Sequence, residues 1–185
     1  MREAPTMARN WLAMPYSSRA GLRERDSGQA LVECALSATV MLILIFGLID
    51  LSRAIFVAQV IANLSGQGSS MASRGTTLAN TAAAVAASSA PLNLNTSGRV
   101  IVSAVYNSNS VMKLTDQAAQ GGITALSHVG SAIGGTARIP SAATPQLNQT
   151  VYVTEVFYSF KAITPIGNFL SKTLLPQQLY DVAYF

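Results

Sequence analysis

From Ala30 to Ile49 the chain runs for twenty residues with a single charge, Glu33: ALVECALSATVMLILIFGLI. An α-helix rises about 1.5 Å per residue, so this stretch reaches about 30 Å, the thickness of a bilayer's hydrocarbon core. Ser37 and Thr39 do not oppose insertion, because hydroxyls on a helix can bond back to carbonyls of the preceding turn. Asp50 and Arg53 follow directly and mark the membrane boundary. Residues 30–49 are therefore predicted to form a transmembrane helix, and the rest of the chain has to be arranged around it.

Charge sets the orientation. Arg2, Arg9, Arg19, Arg23 and Arg25 precede Gly28 against three acids, Glu3, Glu24 and Asp26, while the residues after Gly28 carry seven basic and five acidic groups. Arginine enrichment before a span places the N-terminus in the cytoplasm and everything after Arg53 on the other side. The basic excess is topological and forms no patch, so no nucleic-acid partner is expected. A secretory signal peptide shares this order of regions, and Ser52-Arg53-Ala54 loosely imitates a small-x-small cleavage site. Against that reading, the apolar stretch exceeds the usual h-region, and Asp50 and Arg53 crowd the join.

A chain of 185 residues accommodates one domain plus an anchor. With 11% charged and 50% hydrophobic residues it fits a membrane or exported class. Cys34 is the sole cysteine, so no internal disulfide can form, and it reads as a small apolar side chain facing lipid or a neighbouring helix.

The helix is expected to continue past the membrane. In AIFVAQVIANL (54–64), Phe56, Val60 and Leu64 recur at i, i+4 and i+8 with Val57 and Ile61 on the adjoining row, an amphipathic face. SGQGSS (65–70) weakens the pattern, and Arg74-Gly75 is a plausible stop. The organisation read from this is a basic leader 1–28, a long helix 29–75 and an extracytoplasmic α+β domain 76–185. In that domain the alanine run of 76–98 suggests a short helix ended by Pro91. RVIVSAVY (99–106) alternates as a strand, followed by a turn at Asn-Ser-Asn-Ser. KLTDQAAQ suits a strand or a helix turn, and 121–145 reads as a flexible Gly/Ala/Ser loop. TVYVTEVFYSF (150–160) is the strongest strand; Pro165 with Gly167 makes a bend, and LPQQLYDVAYF supplies a last strand. The expected fold class is α+β: a long N-terminal helix with a small antiparallel sheet packed on its exposed half. The aromatics gathered in the last 35 residues, among them Tyr152, Phe157, Tyr158, Tyr180 and Tyr184, are assigned mostly to the sheet core, the remainder to a subunit contact surface.

Taken in order, a basic leader ending at Gly28, an apolar helix starting at Gln29 and a glutamate at its fifth position, Glu33, resemble the type IV pilin-like proteins. GQALVE and the boundary GLIDLSRA, with the closing segments VYVTEVFYSFKAITPIGNFL and LPQQLYDVAYF, are similar to TadE-like minor pseudopilins of the tight-adherence (Flp, type IVb) pilus systems. Cys34 stands where that subclass usually has an aromatic, and the 28-residue leader is long for it, with Met7 and Met14 as alternative starts. The resemblance implies a pilin-like protein of the bacterial inner membrane, cut by a prepilin peptidase between Gly28 and Gln29. Its partners would be that peptidase, other pilins or pseudopilins, the Tad assembly machinery and membrane lipid. It also implies that Glu33 pairs with the amine created by the cut and sets subunit register. The main pilins of such systems are far shorter, which points away from the major subunit. The simpler alternative is an unprocessed single-span protein whose outer domain binds a partner or surface, with Glu33 complementing the positive end of the helix dipole.

Nothing in the sequence points to an enzyme. The only histidine, His128, has no acid or cysteine near it in sequence, so no metal site is expected. No nucleophile motif or phosphate-cradling loop is visible, and GGITALSHVGSAIGG lacks the strand-to-helix context and lysine of one. No cofactor is expected.

Overall fold

The computed structural model describes residues 20–165 and 177–185, with side chains from Gly28 onward. Helix α1 spans Ala20–Ser73, starting earlier than the expected Gln29. The chain divides into two compact units between Leu44 and Ile45. In the first, the described residues are the opening part of α1. The second holds the rest of α1 and everything that follows.

Within the second unit α1 continues through SGQGSS, where the apolar periodicity weakens. The serines remain compatible with a helix because their hydroxyls bond inside it: Ser65 Oγ donates to Ala62 O at 2.9 Å and Ser69 Oγ to Ser65 O at 2.8 Å. Gly68 meets the sheet directly, since a Cβ there would lie 2.6 Å from Thr154 Cγ2. Small residues at the buried positions 65, 68 and 69 are therefore what a close helix-on-sheet contact requires. The helix ends where Arg74-Gly75 suggested. Gly75 takes a left-handed φ of 93°, with Gly75 N–H donating to Ala72 O at 3.1 Å and Thr76 N–H to Met71 O at 3.4 Å. That pair of bonds is a Schellman motif.

Helix α2 covers Leu78–Ala87, its first turn capped by Thr77, whose hydroxyl accepts from Asn80 N–H. A single turn, α3 (Leu94–Ser97), leads into the strands β1 (Gly98–Ser108), β2 (Val111–Gly121), β3 (Thr150–Ser159) and β4 (Gln178–Tyr184). The sheet is antiparallel throughout, in the order β2-β1-β3-β4. KLTDQAAQ is strand. It pairs with β1 through a two-residue turn in which Asn109 and Ser110 have φ of 52° and 65°, the type I′ geometry that matches strand twist. The α+β class and the sheet packed on the helix, both expected from the sequence, are what the structure has.

Both sheet faces are covered. Val100, Val102, Ala104 and Val156 pack with Ala54, Val57, Ile61, Leu64 and Ala72 of α1 and Leu78, Ala82, Val85 and Ala86 of α2. On the other side Val105, Val151 and Val153 form a second core with Leu114, Val129 and Ala137. The segment 122–149 that supplies Val129 and Ala137 contains one short 3-10 turn, Ser141–Ala143. It is fastened to the outer edge of β2 by Gly134 N–H to Leu114 O at 2.7 Å, Leu114 N–H to Gly135 O at 3.0 Å and Ala137 N–H to Met112 O at 2.8 Å. Gly167 and the start of the closing segment fall outside the described residues.

Candidate functional site

Gly28, Gln29 and Glu33 lie on the exposed, continuous helix α1. Gly28 faces open space, with nothing within 4 Å of a Cβ built there. Four residues apart, Gln29 and Glu33 share a helix face, and the Gln29 side-chain amide donates to Glu33 Oε1 at 3.0 Å. The donor is the side-chain amide of Gln29, not the amine with which the resemblance pairs Glu33, because in the uncut chain the Gln29 main-chain nitrogen is a peptide nitrogen within α1. Cys34, next to them, is exposed.

Apolar side chains are exposed all round this part of the helix: Leu31 at 72%, Leu36 at 65% and Leu44 at 64%. The most apolar window of Gly28–Ser73 has a mean hydropathy of 2.4 and no buried residue, unlike the core helix of a soluble domain. Among the described residues this is the one helix long and apolar enough to cross a membrane, consistent with a membrane-anchored protein.

Asp50 and Arg53 hold a further structural position. Asp50 is fully buried and accepts from Ile163 N–H at 3.0 Å and from the Thr164 hydroxyl. Arg53 donates to Lys161 O at 3.3 Å, and its guanidinium carbon lies 5.7 Å from the centre of the Phe160 ring. Burial alone would raise the Asp50 carboxyl, but the bonds from Thr164 and Ile163, with Arg53 nearby, outweigh it and hold it below the ordinary 3.8. The two residues at the end of the apolar run therefore clamp the segment that follows β3, more than a hundred positions away.

Residues 28–70 match the family model described as TadE-like protein. Over this segment the chain is similar to TadE-like proteins. No curated protein and no solved structure matches it. The matched segment opens on Gly28 and takes in Gln29, Glu33, Asp50 and Arg53, together with the buried small residues Ser65, Gly68 and Ser69.

Beyond it the fold assembles one cluster that sequence reasoning did not find. Glu155, fully buried on β3, accepts from the Ser127 hydroxyl, from His128 N–H at 2.8 Å and from the Tyr180 hydroxyl at 3.0 Å. The His128 ring stands 4.4 Å from that of Tyr180 and 5.5 Å from that of Phe157. Burial first, then the Glu155 carboxylate, push the Tyr180 phenol well above its ordinary 10.0. An open hollow of about 470 Å³ lies alongside, lined by His128, Val129, Arg138, Tyr180 and Tyr184 among others. The signal was available in part: Glu155 alternates with Val153 and Phe157, so a carboxylate stood on an apolar strand face and needed partners. Those partners come from the connection and from β4, 25 to 28 residues away. Each donor is satisfied by the carboxylate, so the cluster fastens the connection to the sheet. Among the described residues no three His, Cys, Asp or Glu side chains converge as metal ligands.

Proposed function

We propose that this protein is a minor pseudopilin-type component in the assembly of a Tad (type IVb) pilus. In this reading it is held in the bacterial inner membrane by residues 30–49, with its N-terminus cytoplasmic and its sheet domain outside. A prepilin peptidase removes residues 1–28, so the chain is that enzyme's substrate and performs no catalysis of its own. The observation that carries the reading is where the TadE-like match begins: on Gly28, the residue at which the leader would be cut.

Physical chemistry supports each part. A peptidase draws an extended backbone into its site, whereas residues 26–30 are helical here, so the helix must unwind locally. Asp26, Ser27 and Gly28 are all poor helix formers, glycine by about 1 kcal/mol relative to alanine, which keeps that unwinding easy. The cut leaves an ammonium on Gln29, near Glu33, and the carboxylate can then pair with its own or a neighbouring subunit's amine. When the span leaves lipid its exposed leucines must be buried again, and helices of adjoining subunits offer that surface.

N-terminal sequencing and intact mass of protein taken from its native membranes test this. A mature chain beginning at Gln29 is expected. A chain that keeps Arg23 to Gly28 in cells with an active prepilin peptidase overturns processing, and leaves the unprocessed single-span protein as the reading.

A further inference from the structure

The segment after β3 alternates strictly in exposure. Phe160, Ala162 and Thr164 are buried, whereas Lys161, Ile163 and Pro165 face outward. Ile163 is 63% exposed, a large apolar side chain with no apolar cover on a segment that is otherwise tightly held. Two side chains of α1 fasten the backbone, Asp50 at Ile163 N–H and Arg53 at Lys161 O. Asp50 is the first residue after the apolar run, so these bonds bring Ile163 to the level at which that run ends.

We propose that Lys161, Ile163 and Pro165 form a membrane-contacting strap, seating the domain on anionic lipid headgroups as a second point of attachment beside the span. The proposal rests on residues 30–49 crossing the membrane. Beyond the hydrocarbon core about 5 to 7 Å of headgroup layer extends on each side, and a backbone hydrogen-bonded to Asp50 lies within that distance. Its outward chemistry suits the layer: an aliphatic side chain to enter the acyl boundary, and a lysine to meet lipid phosphate. Leu51 and Ile55, 48% and 52% exposed on the first turns after the boundary, extend the apolar character. The buried state of Asp50 fits the same setting. A carboxylate at a membrane face is costly unless fully hydrogen-bonded, and Ile163, Thr164 and the nearby Arg53 provide for it. A single span leaves a domain free to swivel and tilt, whereas a second contact fixes which side of the sheet faces outward.

The test uses the full chain in vesicles of phosphatidylcholine with phosphatidylglycerol, in a Cys34→Ala background, carrying one nitroxide at Leu42→Cys, Ile163→Cys or Ile133→Cys. Relaxation by oxygen reports lipid, and relaxation by a water-soluble nickel chelate reports solvent. The expected result is a lipid signature at 42, a water signature at 133, and at 163 a shift toward oxygen and away from nickel that increases with phosphatidylglycerol. A lipid signature at 42 with 163 as nickel-accessible as 133 overturns the strap alone. Shielding of 163 from both reagents identifies a contact between copies and overturns it also. A water signature at 42 overturns the membrane-spanning reading on which the strap rests.

Discussion

At the scale of single residues, Glu33 and Asp50 are two carboxylates on one helix with opposite solutions to the same difficulty. Glu33 is exposed and bonded to the neutral amide of Gln29, an i, i+4 pairing worth about 0.2–0.5 kcal/mol on an isolated helix. So weak a bond cannot matter to folding, and under the proposed processing the role of Glu33 lies in the ammonium it would meet after the cut. Glu33→Ala is accordingly expected to leave insertion and leader removal intact while pilus yield falls. Immunoblots of the two chain forms beside counts of surface pili measure both, and unaltered piliation would exclude the pairing role. Asp50 instead is buried, and hydrogen bonds to a charged group contribute about 1.5–3 kcal/mol each. Asp50→Asn should lower stability by about 2 kcal/mol at neutral pH by weakening the hold on Ile163 and Thr164. Because the folded-state pKa is depressed, this contribution is present above the ordinary 3.8 and fades as pH falls through and below it. Denaturant midpoints of wild type and variant should therefore converge in acid; a constant gap from pH 7 to pH 3 would show that the charge is not what holds the strap.

Among elements, the contact of α1 with β3 depends on Gly68. A methyl group there would stand 2.6 Å from Thr154 Cγ2 and 2.8 Å from its Oγ1, and threonine is too short and branched to swing clear. Alanine improves helix propensity by about 1 kcal/mol, but overpacking costs about 1–3, so the clash wins. Gly68→Ala should destabilise and Thr154→Ala should largely relieve it, a coupling that a double-mutant cycle by chemical denaturation reads directly. Simple additivity would mean that the helix shifts to make room. The same contact explains what was legible in the sequence. The span, the stop at Gly75 and the strands 98–108 and 150–159 announce themselves through local pattern, period and turn chemistry. SGQGSS misleads because its purpose is tertiary: small residues that weaken a helical pattern are the ones a sheet can approach. The Asp50 and Glu155 attachments were hidden for a related reason, since hydrogen bonds spanning 113 and 25 positions leave no spacing to read.

In the molecule as a whole, the second unit has one sheet between two covers, and the inner cover is the later part of helix α1. Ala54, Val57, Ile61 and Leu64 share a core with Val100, Val102 and Val156, so residues 50–75 belong to the domain as fully as its strands do. A fragment 76–185, the domain as the sequence had delimited it, would expose Val100, Val102 and Ala104 on the face left by α1. Each buried Val or Leu contributes about 1.5–3 kcal/mol, and losing several such contacts exceeds the 5–15 kcal/mol that domains generally have in reserve. It should aggregate or show no cooperative transition. A fragment 50–185 retains Asp50, Arg53 and the amphipathic face, and it should melt in one step, because both cores share strands β1 and β3. Far-ultraviolet circular dichroism on heating separates the two expectations. Equal cooperativity in both fragments would mean that residues 50–75 of α1 only lean on the sheet and that the strands 98–184 hold a core without them.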